Sequence, residues 1–110
     1  MPRSLPTPFH CELVHADGQV RVAPRGELDI STVPRFERRL SEALDGGARR
    51  LVIDLRELEF MDSTGLTVLV RWGRRATQDG YEIALVRGEP RVHRLFEITG
   101  LDSQFTFAED

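Results

Sequence analysis

The segment LVIDLRELEFMDSTGLTVLV, residues 51–70, decides the fold of this 110-residue chain. The run from Leu51 to Leu55 is almost continuously apolar, which is typical of a short β-strand covered on both faces. From Leu66 onward, apolar residues recur at helical spacing: Leu66, Leu69, Val70 and Ala76. A buried strand followed by an amphipathic helix predicts a parallel α/β sheet, with residues 59–66 as the loop between strand and helix.

The same alternation continues towards the C-terminus. Asp79 and Gly80 end the helix, and YEIALV, residues 81–86, predicts another buried strand. Pro90 begins a third helix that Gly100 ends, with an apolar face of Val92, Leu95 and Phe96. After it, a last short strand is predicted from Leu101, Phe105 and Phe107.

Upstream of the segment the pattern is first a hairpin and then a helix. Two alternating runs flank a tight turn at Asp17-Gly18, and Pro24 predicts an edge position or a bulge in the second strand. DISTVPRFERRLSEALDGG, residues 29–47, predicts a helix that Ser31 or Thr32 caps. Its buried stripe is Val33, Phe36, Leu40, Ala43 and Leu44.

This order predicts an α/β single domain whose sheet is mostly parallel, with an antiparallel N-terminal edge strand and helices packed against it. Residues 1–8 contain three prolines and no periodicity, so we expect a flexible lead-in there and the domain at residues 9–110. At this length and at 40% hydrophobic residues, the chain can bury a core without disulfides or metal.

Composition argues against several classes of function. The net charge is −3 and no run of arginines is present, so the sequence does not predict nucleic-acid binding. No apolar run is long enough to span a bilayer and no signal peptide is present, so we expect a cytoplasmic protein with no membrane partner. Cys11 is the single cysteine, and about 13 Å of strand separates it from His15, too far to ligate one metal ion. No cofactor is predicted.

The residues DSTG, Asp62–Gly65, admit two interpretations. Asp, Ser and Thr before an apolar helix are typical capping residues, which makes the hydroxyl of Ser63 a structural group. Alternatively, Ser63 lies in the first turn of a helix, where its hydroxyl is exposed and an added phosphate is favoured by the helix dipole. Spacing alone does not decide between them.

Three segments, GELDISTVPRFERRL, LVIDLRELEFMDSTGLTVLV and RVHRLFEITGLD, resemble the STAS domain family, in particular bacterial anti-sigma factor antagonists. The similarity runs from about Val20 to Asp102. In that family the Ser of a D-S-[ST]-G motif is the phosphoacceptor, which implies phosphorylation of Ser63, with Asp62, Thr64 and Gly65 completing the motif. The shorter C-terminal end of this chain and Pro24 depart from the family's pattern.

The resemblance implies a partner switch. The unphosphorylated chain binds an anti-sigma factor, itself a serine kinase, and so frees the sigma factor. The kinase phosphorylates Ser63, the complex separates, and a protein phosphatase resets the switch. The alternative is a STAS scaffold or small-ligand carrier that is never phosphorylated.

Further residues are assigned to the partner-binding surface as hypotheses. Asp29 ends a strand that we expect beside the Ser63 loop, although a role in a turn before the first helix is an equal alternative. Arg71 begins a basic stripe with Arg74 and Arg75, which is either a solvated face or a contact with an acidic partner. Trp72 is either a core residue or an anchor for a partner, and we assign it to the core because large aromatic side chains usually bury most of their area within the domain.

The sequence does not predict an enzyme. It has no G-x-S-x-G elbow, and His93 is the only histidine outside the N-terminal hairpin that folding could bring to Ser63 as a base.

Overall fold

After an N-terminal hairpin, helices and strands alternate, except that two consecutive strands lie between the first and second helices. The structure is a computed structural model that describes residues 7–108. Its elements, in chain order, are β1 (His10–Ala16), β2 (Gln19–Leu28), α1 (Val33–Asp45), β3 (Arg50–Asp54), β4 (Leu58–Met61), α2 (Ser63–Asp79), β5 (Glu82–Val86), α3 (Pro90–Thr99) and a 3₁₀ helix (Leu101–Gln104).

The sheet has the order β1-β2-β3-β5, with β4 alongside the C-terminal part of β2. Only the β1–β2 pair is antiparallel, and β2–β3, β3–β5 and β2–β4 are parallel. The prediction of a mostly parallel sheet with one antiparallel edge strand is therefore confirmed. The hairpin turn is also confirmed, since Asp17 and Gly18 adopt φ values of 44° and 79°.

Strand β2 changes its parallel partner halfway along. Its residues up to Val22 pair with β3, and those from Gly26 pair with β4. Pro24 lies in the gap between the two partners, so its missing N–H removes no bond from either parallel ladder. The prediction of an edge position was wrong: β2 is an interior strand, and the irregularity in its pairing comes two residues later, between Gly26 and Glu27.

The interpretation of residues 59–66 as a loop was also wrong in part. Leu58–Met61 form the short strand β4, and only Asp62 separates it from α2. Both Leu58 and Met61 are buried. A four-residue strand whose burial does not alternate gives no periodic signal, which is why the sequence did not indicate it.

The core lies between one face of the sheet and the three helices. Each helix contributes fully buried side chains, and so does each of the strands β2 to β5. In the predicted helical faces, Leu44, Val70 and Leu95 are only half-buried, whereas Trp72 is 3% exposed, so its assignment to the core is confirmed. No helix among residues 7–108 has the length and apolar character needed to cross a membrane.

The C-terminal segment adds less strand than predicted. Leu101 lies in the 3₁₀ helix, and a single parallel bridge joins Phe107 to Leu85. Two backbone hydrogen bonds hold the C-terminal segment against β5. The Leu85 N–H donates to the Thr106 carbonyl at 2.8 Å, and the Ala108 N–H donates to the Leu85 carbonyl at 2.7 Å.

The start of the domain stays a prediction, because residues 1–6 lie outside the described part. Within it, the Thr7 hydroxyl donates to Glu59, and a Cβ on Gly26 would stand 2.8 Å from the Thr7 carbonyl oxygen. Gly26 also has a φ of 89°, so the backbone requires glycine there.

Candidate functional site

The Ser63 loop and the turn after β2 meet at the C-terminal ends of parallel strands. Leu28 pairs with Met61, and the Asp62 N–H donates to the Leu28 carbonyl at 3.3 Å. The expectation that the GELD segment lies beside the Ser63 loop is confirmed. Both segments leave the sheet at the edge where α/β folds place their sites.

Asp62 is the N-cap of α2. Its backbone is extended, with φ −100° and ψ −175°, and its carboxylate accepts from the N–H groups of Thr64 at 2.9 Å and Gly65 at 3.1 Å. Two of the four N–H groups that begin a helix are thus satisfied by one side chain.

Ser63 is the first residue of α2, and its side chain is exposed. Within residues 7–108, the Ser63 hydroxyl has no hydrogen-bond partner; the Thr67 hydroxyl instead donates to the Ser63 carbonyl at 2.8 Å. Because Asp62 caps the helix, the capping interpretation of Ser63 loses its support. The hydroxyl stands at the positive end of the helix dipole, where added negative charge is stabilised.

Gly65 allows α2 to approach the sheet closely. A Cβ at this position would stand 2.8 Å from the Met61 Cγ and 2.9 Å from the Leu28 carbonyl oxygen. Both distances are shorter than ordinary carbon contacts, so a larger residue forces the helix start outward. Gly65 therefore fixes where Ser63 stands relative to β2 and β4.

Asp29 holds the neighbouring turn together. Its carboxylate accepts from the Ser31 N–H at 2.9 Å and the Ser31 hydroxyl at 2.6 Å, while its carbonyl accepts from the N–H groups of Thr32 and Val33. The hydrogen bond from the Ser31 hydroxyl is the largest cause of a lowered pKa at Asp29. The turn role is thus observed, and a contact between Asp29 and a partner stays a prediction.

Thr32 occupies the N-cap position of α1, but its side chain makes no capping bond to that helix. Its hydroxyl donates to the Glu27 carbonyl at 2.8 Å and accepts from the Asp29 N–H at 3.0 Å. The predicted side-chain cap was therefore wrong, because the hydroxyl closes the turn instead.

Arg71 is engaged within the fold. Its guanidinium donates to Glu37 at 2.8 Å, and the same carboxylate oxygen accepts from the Trp72 indole N–H at 2.7 Å. Burial alone would raise the pKa of Glu37, but the hydrogen bonds from Trp72 and Arg71 outweigh it and lower that pKa. The sequence did not indicate this link between α1 and α2, since Glu37 precedes Trp72 by 35 residues.

The basic stripe predicted from Arg71, Arg74 and Arg75 is divided among three depressions. Arg71 lines the same depression as Ser63, Arg75 stacks over the Trp72 ring at 4.8 Å, and Arg74 lines a cavity of about 590 Å³ with Tyr81 and Phe105. Arg71 and Arg75 both act on the Glu37 carboxylate and lower its pKa, whereas Arg74 lines a different cavity.

The surface around Ser63 is a shallow depression of about 330 Å³. Its lining comes from α2 and the start of α1: Val33, Ser63, Thr64, Thr67, Val68 and Arg71. None of these side chains is a carboxylate or imidazole that could act as a base on the serine hydroxyl. The Ser63 side chain is exposed at this depression.

The remaining candidates lie elsewhere. His93 is buried in α3, stacked on Phe96 with a ring distance of 5.7 Å. Cys11 is buried, which raises the pKa of its thiol to about 12, while His15 is exposed. In the described part of the chain, no three His, Cys, Asp or Glu side chains come together as a metal site.

The family model of the STAS domain matches residues 10–110 of this chain. The chain belongs to the STAS domain family. A relative in Staphylococcus aureus, named anti-sigma-B factor antagonist, is 40% identical over 84% of this chain and 86% of the relative.

Solved structures of STAS domains share the fold. The crystal structure of an anti-sigma factor antagonist from Mycobacterium paratuberculosis is 27% identical, with a TM-score of 0.79 over 96% of this chain and 92% of that one. The anti-sigma factor antagonist SpoIIAA in its unphosphorylated form is 26% identical, with a TM-score of 0.72 over 93% and 89% of the two chains. The predicted α/β STAS fold is confirmed.

Proposed function

We propose that this STAS domain is an anti-sigma factor antagonist without catalytic activity of its own. It binds an anti-sigma factor that is a serine kinase, and so releases the sigma factor. Phosphorylation of Ser63 by that kinase ends the complex, and a protein phosphatase restores the binding form. The names of its relatives in Staphylococcus aureus and Mycobacterium paratuberculosis support the antagonist role.

The observation that carries the proposal is the division of roles between Asp62 and Ser63. Asp62 provides the helix cap, and the hydroxyl of Ser63 is exposed and unpaired within the described residues. A hydroxyl that contributes nothing to the fold can be modified without unfolding the domain. The SpoIIAA relative is described in an unphosphorylated form, which fits the same proposal.

Charge supplies the switching free energy. A phosphate at Ser63 adds close to two negative charges beside the Asp62 carboxylate. In the free chain the helix dipole and solvent stabilise the phosphate. In a complex formed around a neutral hydroxyl, repulsion and desolvation costing about 3 to 4 kcal/mol lower the affinity by two to three powers of ten.

The proposed contact region for the anti-sigma factor is completed by Asp29, Asp62, Thr64, Gly65 and Arg71. Gly65 acts through the backbone, and Arg71 lines the same depression as Ser63. We further propose a cytoplasmic location, because the kinase uses ATP and its target sigma factor acts on transcription.

A paired binding measurement tests the proposal. Ser63→Ala should bind the anti-sigma factor kinase as tightly as the unphosphorylated wild type, and Ser63→Asp should bind at least ten times more weakly. Ser103→Asp adds the same charge at an exposed position in the 3₁₀ helix and serves as the matched control. Equal affinity of Ser63→Ala and Ser63→Asp would favour a scaffold or ligand carrier instead.

A further inference from the structure

Two exposed apolar side chains stand on the segments that flank the Ser63 loop. Among the described residues, four large apolar side chains are exposed: Val14 (48%), Ile30 (76%), Phe60 (48%) and Ile98 (73%). Ile30 follows the end of β2, and Phe60 lies in β4 three residues before Ser63. We call Ile30 and Phe60 the apolar rim.

Ile30 is held outward by a rigid turn. The residues on either side of it, Asp29 and Ser31, are joined by the two hydrogen bonds from Ser31 to the Asp29 carboxylate. Thr32 closes the turn onto the Glu27 carbonyl at 2.8 Å. Since these polar groups are satisfied within the turn, a partner that covers Ile30 gains apolar burial without first ordering the loop.

The turn touches the Ser63 site on both sides of Ile30. Before it, the Leu28 carbonyl accepts from the Asp62 N–H, and after it Val33 lines the same depression as Ser63. With consecutive Cα atoms about 3.8 Å apart, and with the Asp62 N–H bonded to the Leu28 carbonyl, the Cα of Ile30 lies within about 19 Å of the Cα of Ser63. Phe60, three strand residues upstream, lies about 10 Å from it.

We propose that the apolar rim anchors the anti-sigma factor kinase beside Ser63 and contributes to its choice of substrate. The inference rests on the proposed function. A kinase must bring its catalytic groups to the Ser63 hydroxyl, and a protein surface that does so also covers the neighbouring turn and strand end. A second copy of this chain seated on the rim would instead block the approach to Ser63.

Burying a side chain as large as isoleucine or phenylalanine strengthens association substantially. Ile30→Ala and Phe60→Ala should therefore each weaken binding of the kinase about 10-fold or more. The same variants should lower kcat/KM for Ser63 phosphorylation by raising KM, because the rim contacts the kinase and not the transferred phosphate.

The test uses the full chain and the purified anti-sigma factor kinase, with Kd from calorimetry and phosphorylation rates with Mg-ATP. Ile98→Ala is the matched control for Ile30→Ala, since it removes an equally exposed isoleucine on α3. Val14→Ala is the control for a half-exposed strand residue. All four variants should have nearly the same free energy of unfolding as the wild type, as surface substitutions usually do.

The two hypotheses fail in different ways. If the wild type neither binds the kinase nor is phosphorylated, the proposed function is overturned and the inference with it. If the wild type binds but Ile30→Ala and Ile98→Ala have equal affinities and equal KM values, the inference alone is overturned. A wild-type dimer that Ile30→Ala abolishes, seen by sedimentation, would also contradict it.

Discussion

The Asp62 carboxylate caps α2 by accepting from the N–H groups of Thr64 and Gly65, and this leaves the hydroxyl of the next residue, Ser63, without a structural role. Of the potential capping residues in this motif, Asp62 therefore has the structural role, and the Ser63 hydroxyl is left available for modification. The separation can be measured as a difference in stability.

Asp62→Ala should lower the free energy of unfolding by about 1 kcal/mol, because it removes the N-cap of α2. Ser63→Ala should change it by less than about 0.5 kcal/mol. Urea unfolding followed by the fluorescence of Trp72, the single tryptophan, measures both. Asp62→Asn, which keeps a capping oxygen, should lie near the wild type. If Ser63→Ala lowered the free energy of unfolding more than Asp62→Ala does, Asp62 would not be the residue that caps α2.

Gly65→Ala should destabilise the domain by about 1 to 3 kcal/mol, because the new methyl group overlaps Met61 and the Leu28 carbonyl. Gly73→Ala, in the same helix, is the control. Its Cβ would stand 3.7 Å from Phe105, an ordinary contact, so the higher helix propensity of alanine should stabilise by up to about 1 kcal/mol. Thermal unfolding of both variants tests whether α2 approaches the sheet closely at Gly65. Equal effects of the two substitutions on stability would contradict this close approach.

Asp54 should make the free energy of unfolding depend on pH in the acidic range. The residue is buried, which by itself raises its pKa, but hydrogen bonds from Arg56 at 2.7 Å and Arg21 at 3.0 Å outweigh burial and lower that pKa. The stabilisation is therefore present above the unfolded-state pKa of about 3.9 and is lost as the pH falls through the lower folded value.

Asp54→Asn should accordingly cost about 2 kcal/mol at pH 7, and the difference from the wild type should shrink below about pH 4. Urea unfolding across this range measures it. Asp45→Asn, at an exposed position, is the control and should have little effect. A difference that stays constant down to pH 2 would show that the carboxylate charge is not what stabilises the fold.

Cys11 should react slowly with thiol reagents in the folded chain. Burial raises the pKa of its thiol to about 12, so almost none of it is thiolate at neutral pH. Labelling by a disulfide reagent at pH 8 should be slow in buffer and rapid in denaturing urea. Rapid labelling of the folded chain would contradict the buried position.

Much of the fold could be predicted because each long element carries its own period. The apolar run at Leu51–Leu55 and the helical spacing after Leu66 were sufficient to indicate β3 and α2. Pro24 misled because a sequence does not show where a strand changes its neighbour. Strand β4 was missed because it has only four residues and their burial does not alternate.

The sequence indicated which residues form the candidate site, but not which role each of them has. Asp62, Ser63 and Thr64 are all suitable caps, and the backbone conformation of Asp62 was needed to show which of them acts. The contact between Glu37 and Trp72 depends on how α1 packs against α2, which local patterns do not contain. Ile30 gave a weak signal, as an apolar residue within a polar turn, but its exposure required the structure.

The most direct test of the central claim is phosphate mapping by mass spectrometry after incubation of the chain with the purified anti-sigma factor kinase and Mg-ATP. We expect one phosphate, on Ser63, none on the Ser63→Ala variant, and loss of kinase binding in step with its addition. A phosphate on another residue, or a phosphorylated chain that binds the kinase as tightly as before, would contradict the account.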